Sequence, residues 1–364
     1  MTAVPEEWLS TTEPGLSADS LFFRMPADVS GGDCAMEFHI GILPNRPVSE
    51  CVEIGIEAER LGYHGVWVAD SHSIMRDAYA ILALLAGRTH TLRLATGVTH
   101  TVTRHPAVLA NQWATLHEIS AGRAILGIGV GESAVHNLGL KPEKLAVFEE
   151  KIRVIRALLR GEEVVCDGTA IRMPWSHCTV PVVMACSGPK SLQLAGRIAD
   201  GVLFQVGSDP RFVAYALENI EAGAARAGRT LADLKLYMRI ACALAADPEA
   251  ARREVRGYAA IAAGTTFATV PRKYFDTPLW DDLVRFKAAY DYAEHGSNQA
   301  HHAALLTDRI LDAITVAGTA DQVVQRFRDL AALGLDGFVW PLGMAQPLPQ
   351  LQAFAAQVMR PLQH

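Results

Sequence analysis

No apolar run in the 364 residues reaches the length of about 18 that a membrane-crossing helix needs, so no spanning segment is expected. Positive charge is not in excess either. With 33 Lys and Arg against 39 Asp and Glu, the net charge is −6, and the basic balance that neutralises a phosphate backbone is missing. Nucleic acid is therefore not an expected partner. Cysteine is scarce: Cys34, Cys51, Cys166, Cys178, Cys186 and Cys242 are scattered without a CxxC pair, which excludes a compact disulfide framework and predicts reduced, mostly buried thiols. The first residues carry Glu6, Glu7 and Glu13 where a secretory leader would be basic and then apolar, and the expected location is the cytoplasm.

Several chemical signatures are absent too. There is no GxxxxGK(S/T) and no GxSxG, which removes P-loop hydrolysis and the serine elbow of α/β-hydrolases. His117-Glu118 opens like HExxH, but Ala121 stands where the second histidine must be. His295, His301 and His302 cluster without cysteine or carboxylate companions at ligand spacing, so no metal site is expected. Gly129-Val130-Gly131-Glu132-Ser133-Ala134 fits GxGxxA, yet it follows a fourth strand, whereas the dinucleotide fingerprint belongs to a first. Its physics survives: small residues let a ligand approach the backbone, and the amides of the next turn can hold a phosphate or a flat ring.

What is present is a repeating pattern. Half the residues are apolar, enough to bury a large core. Short runs rich in Val, Ile and Leu begin near Glu37, His64, Leu92, Arg123, Pro181, Asp200, Lys235 and Leu335, each followed by a segment of helical period. Strands apolar along their whole length belong to a parallel sheet buried on both faces. Eight such units predict an α/β fold, a (β/α)8 TIM barrel, with an open doubly wound sheet as the competing topology. Residues 1–35 lack periodicity and read as an N-terminal extension; 36–364 read as one barrel domain with an insertion at about 247–318, after the seventh strand. That insertion would leave from the C-terminal face, where barrel active sites lie. Ser49, the Gly188-Pro189 step and the Thr319–Gln322 capping box mark expected helix starts, and Gly264 to Pro278 reads as a turn region.

The strand ends carry the polar residues: Asp70-Ser71-His72, Thr96-Gly97-Val98-Thr99, Gly129 to Glu132, Ser187-Gly188-Pro189 and Gln205-Val206-Gly207-Ser208. In a barrel these converge on one mouth. Glycines and hydroxyls suit a flat, phosphate-bearing cofactor, and only Glu132 and His72 stand ready to move protons. A redox cofactor that brings its own chemistry fits such a rim.

The stretches TGVTHTVTRHPAV (Thr96 to Val108), LHEISAGRAILGIGVGE (Leu116 to Glu132), SGPKSLQLAGRIADGVL (Ser187 to Leu203) and GTADQVVQRFRDLAALGLDGF (Gly318 to Phe338) resemble the bacterial luciferase-like superfamily. Within it, the chain is most similar to F420-dependent methylenetetrahydromethanopterin reductases and related oxidoreductases. The resemblance implies a (β/α)8 barrel with coenzyme F420 at its mouth, or FMN in the alternative reading of a two-component monooxygenase fed by a separate reductase. It implies hydride transfer to a C=N, C=O or C=C bond of a small-molecule substrate. A bulge at Gly97-Val98, often a non-prolyl cis peptide in this family, would lie behind the ring. Val130, Gly131, Ser187, Gly188 and Pro189, with Cys186 beside them, would hold the ribityl and phosphate parts, Asp70 and Ser71 would lie next to the ring, and Thr96, Thr99 and Gly207 would also belong to the cofactor site. Glu132 would act as acid or base once the apolar mouth has buried it. Counting back from Arg76-Asp77 lays His72 over a histidine-bearing turn of the reductases, whereas counting forward from Asp70 lays Ser71 there. Arg104, His105 and Lys190 would meet the acidic tail of F420. Family members are commonly homodimers, and the apolar segment Ala80 to Ala86 either offers a covered face or packs within the barrel shell.

Overall fold

In a computed structural model of the chain, the described residues are 36–289, 305–344 and 346–362. The expected extension over 1–35 and the His295, His301 and His302 patch lie outside them. The eight apolar runs form strands β1 (Glu37–Ile42), β2 (Gly65–Val68), β3 (Arg93–Thr96), β4 (Ala124–Gly129), β5 (Val182–Cys186), β6 (Gly201–Phe204), β7 (Lys235–Arg239) and β8 (Gly337–Leu342). All pair in parallel, in the order 3-2-1-8-7-6-5-4. A β3–β4 pairing, Leu94 with Ala124 and Ala95 with Ile125, joins the two ends. The sheet is thus a closed barrel, and the open alternative is excluded.

The period of two along each strand sorts the residues into layers. Trp67, Ala95, Ile125, Val183, Leu203, Tyr237 and Val339 fill the middle of the barrel. Ile40, Val66, Leu94, Leu126 and Met184 belong to the larger core that the helices cover. This double burial is why the strands read as continuous apolar runs rather than as alternations. The Ala78–Ala86 helix packs Ile81, Leu82 and Leu85 into that shell and leaves Leu84 outside.

Helix ends follow the expected chemistry at two of three places. Thr319 and Gln322 form a reciprocal capping box, and Pro189 occupies the first turn after Gly188. Ser49 does not cap its helix. Pro47, with φ −49°, already holds the extended N-cap conformation, so Val48–Arg60 starts two residues earlier than a Ser49 cap implies and Ser49 falls inside the first turn. The turn region expected from Gly264 likewise begins later, after Thr269. Thr265 and Thr269 return their hydroxyls to the carbonyls of Ile261 and Thr265, so these threonines are satisfied within a helix. The apolar run after Lys235 also splits. It leaves the barrel after Arg239, and Cys242–Leu244 pairs instead with Val316–Gly318, a change of sheet that an unbroken apolar run does not signal. Between them lie helices Pro248–Thr269, Thr277–Ala288 and Asp308–Ile314. Of the cysteines, Cys51 and Cys242 are buried, while Cys166, Cys178 and Cys186 are only partly covered.

At the N-terminal end of the barrel the interior turns ionic. Glu37 accepts hydrogen bonds from His39 Nε2 (3.1 Å), Tyr237 Oη (3.0 Å) and Lys235 Nζ (3.3 Å). Burial alone would raise the Glu37 carboxyl, but these partners hold it well below the usual carboxylate range. Burial pulls the enclosed His39 ring below its ordinary 6.5. An unfolded chain therefore binds the proton that the folded one refuses, and stability falls as pH drops through about 6.5. Urea midpoints measured across that window should decline, and less steeply in His39→Gln. His64, His100 and His117 are depressed by burial as well, so the slope shrinks without vanishing. An unchanged slope in the variant would remove His39 from the account.

Candidate active site

One layer above Trp67, Leu203 and Val339, the barrel mouth is lined by small residues. A shallow depression is bounded there by Gly41, Ala69, Gly97 and Arg239, with those three side chains as its floor. The third strand bulges at this level. Four residue steps from Ala95 to Thr99 face three from Ile125 to Ile128, so one residue of β3 is unmatched. The Gly97–Val98 peptide within it is cis. A Cβ on Gly97 would meet the Trp67 Cβ at 2.9 Å, so the bulge lies flat on the barrel core.

Asp70, at the end of β2, is the electrostatic centre of the rim. Its side chain is 1% exposed and accepts from Arg104 Nη1 at 2.5 Å and from the Thr99 hydroxyl at 2.6 Å. Tyr79 donates in turn to Thr99 (3.1 Å), and Arg104 lies over the Tyr79 ring, 4.7 Å from its centroid. Burial lowers the Arg104 pKa, but Asp70, with Tyr79 and Asp77 behind it, more than offsets this and raises it. Arg104 is thus matched inside the fold rather than free for an acidic tail. Thr96 is buried as well, its hydroxyl given to the Gly127 carbonyl at 2.6 Å, where it ties the bulge to β4.

His72 is placed over this centre, with Nδ1 3.6 Å from Asp70 Oδ1, while Ser71 faces Ser133 with its hydroxyl at 3.5 Å. Both His72 ring nitrogens are shielded and lack a hydrogen-bond partner. The His100 ring lies 5.1 Å away. Its Nδ1 accepts the Val102 N–H at 3.3 Å and its Nε2 has no partner. Burial pulls the His100 pKa down, Asp70 opposes this, and His72 and Arg104 add to it. Buried imidazole nitrogens without partners are rare in a finished interior and mark places where a ligand completes the bonding.

Glu132 follows β4 and precedes the single helical turn Ser133–His136, with no side-chain capping bond. Its side chain is exposed, so the chain does not bury it as expected, and desolvation there must come from what binds above. Gly131, at φ +92°, turns the backbone under it, beside the partly covered Val130. Across the mouth, Ser187 donates to the Gln205 carbonyl at 2.9 Å, and the Pro189–Ile198 helix opens at Gly188 without a side-chain cap. Its uncapped first turn, carrying exposed Lys190, offers backbone amides to an anion. Burial pushes the Cys186 thiol up, so it is no thiolate. Gly207 is accounted for by packing: at φ +94°, a Cβ there would meet the Ala313 carbonyl at 2.7 Å. His105 lies beside Cys166 and Asp167 at the Val164–Ile171 hairpin, its Nδ1 accepting the Ala107 N–H.

One further residue borders this mouth, and a second stands against it. Arg239 ends β7, and its guanidinium stands over the ring of Tyr258, from the helix Pro248–Thr269, at 5.6 Å. Tyr258 donates to Gln205 Oε1 at 2.9 Å. The signal for Arg239 is plain in retrospect: it is the one charge between Leu236 and Leu244.

Comparison with known proteins agrees with this geometry. Residues 26–337 match the family described as luciferase-like monooxygenases. The chain is 34% identical over 314 residues to a 5,10-methylenetetrahydromethanopterin reductase of Methanolobus tindarius, covering 84% of this chain and 93% of that protein. It is 32% identical over 234 residues to an F420-dependent glucose-6-phosphate dehydrogenase of Microbacterium testaceum, covering 59% and 70%. The solved coenzyme F420-dependent tetrahydromethanopterin reductase of Methanopyrus kandleri superposes with a TM-score of 0.77 at 22% identity, covering 90% of this chain and 99% of that one.

Proposed function

The chain belongs to the luciferase-like monooxygenase family, and from that premise we propose that it is an F420-dependent oxidoreductase transferring hydride to or from a C=N, C=O or C=C bond of a small organic substrate. The names of its relatives support the coenzyme. The observation that carries the reading is the mouth itself: a depression whose boundary is kept small by Gly41, Ala69 and Gly97, with orphaned imidazole nitrogens on His72 and His100 in the segments that follow β2 and β3. Those features fit a planar, polar-edged ring, which when bound would supply the hydride chemistry. In this reading Gly97, Val98, Asp70 and Ser71 border the ring, and Val130, Gly131, Ser187 and Gly188 hold its tail. Glu132 gives or takes the substrate proton, and His72, oriented by Asp70, holds the second proton position. A cytoplasmic, homodimeric enzyme is part of the same reading.

Fluorescence titration of the purified protein with F420 and with FMN tests it. Saturable binding of F420, at least about tenfold tighter than FMN, with turnover indifferent to oxygen, is the expected result. Preference for FMN with oxygen-dependent turnover would replace it with the monooxygenase reaction, served by a separate reductase.

A further inference from the structure

Arg239 narrows the substrate class, an inference that rests on the hydride-transfer reading above. Period two along Lys235–Arg239 puts Lys235, Tyr237 and Arg239 on one inward face. At the bottom of that row, Lys235 is matched by Glu37 at 3.3 Å and Asp336 at 2.9 Å. At the top, Arg239 is not matched: among the described residues it has no carboxylate within ion-pair reach. It borders the mouth depression beside Trp67, Ala69 and Gly97. Its neighbours are the Tyr258 ring and that residue's hydroxyl, which is itself committed to Gln205. Other arginines on this rim are already engaged, Arg104 by Asp70 and Arg76 by the Pro44 carbonyl.

A guanidinium cannot shed its proton, and a partly covered cation without a counter-charge is costly unless a ligand supplies one. The planar fork suits two carboxylate oxygens. One unmatched positive charge balances a single negative one, and Glu132, which acts electrostatically on Tyr258, disfavours a dianion in the same space. We propose that Arg239, braced by Tyr258, anchors the carboxylate of an organic-acid substrate whose C=O, C=N or C=C group lies towards Glu132. Phosphate esters, carrying two charges, are correspondingly poor ligands.

The test uses the coenzyme-loaded protein and calorimetric titration with α-, β- and γ-oxocarboxylates and their primary amides. At least one acid is expected to bind about tenfold or more tightly than its amide, the worth of a charge-assisted contact. Arg239→Gln should erase that ratio and Arg239→Lys keep part of it, with F420 affinity unchanged within about twofold in both. Equal binding of acids and amides, binding of neither, or an Arg239→Gln chain whose F420 affinity collapses would each overturn the proposal; the last would give Arg239 to the coenzyme. A wild-type chain that takes FMN and not F420 fails the earlier reading instead, and the acid–amide comparison is then run on the FMN-loaded protein with the same outcomes.

Discussion

Glu132→Gln is expected to lower turnover by about a hundredfold or more, the usual weight of a positioned general acid or base, while the dissociation constant for F420 stays put. The substitution keeps the size and shape of the side chain and removes only its ability to carry a proton. Nothing in the fold depends on that carboxylate. It caps no helix, it is exposed, and no ion pair involving it is present among the described residues. The denaturation midpoint should accordingly move by no more than about 0.5 kcal/mol equivalent, as for other surface changes. Single-turnover rates, coenzyme titration and a melt on the same preparation separate the outcomes. Equal losses in coenzyme affinity and turnover would make Glu132 a binding residue; an unaffected rate would hand the proton to His72.

The fold was legible because its signal is physical and repeated. Strands such as Ala124–Gly129 and Val182–Cys186 are covered on both faces, which forces apolar residues at every position and distinguishes them from half-exposed strands. The Gly97–Val98 bulge was legible only through family resemblance; no periodicity reports a register mismatch of one residue. Individual partners were less accessible. Arg104 read as a cation for the acidic tail of F420 because sequence separation hides its meeting with Asp70, 34 positions away. Tyr258 and Arg239 meet only because the helix after β7 folds back over the mouth, and His100 is brought to His72 by the bulge. Charges buried by long-range contact leave little local pattern. The exception is a lone charge in an apolar strand such as Arg239, and that is where a sequence reading can be sharpened.

Asp70→Ala should cost about 3–5 kcal/mol of stability, the penalty for leaving one member of a buried ion pair without its partner. Asp70 is the more enclosed member, and its loss strands a cation rather than an anion: among the described residues Arg104, 16% exposed and held over Tyr79, has only Asp77 at 3.7 Å as a second carboxylate. The Thr99 hydroxyl would lose its acceptor at the same time, and with it the link from Tyr79 to the end of β2. The double variant Asp70→Ala/Arg104→Met removes both charges and leaves an apolar side chain over the Tyr79 ring. It should therefore be more stable than Asp70→Ala alone, by about 1–3 kcal/mol. Urea denaturation of the four proteins in the cycle measures this coupling directly. If Asp70→Ala and the double variant unfold together, the pair does not stabilise the rim, and the carboxylate is held there for His72 alone. In that case Asp70→Asn, which keeps the Thr99 bond and removes the charge, should leave the midpoint in place and lower turnover, because Asp70 Oδ1 is the only carboxylate oxygen within ion-pair reach of His72 among the described residues.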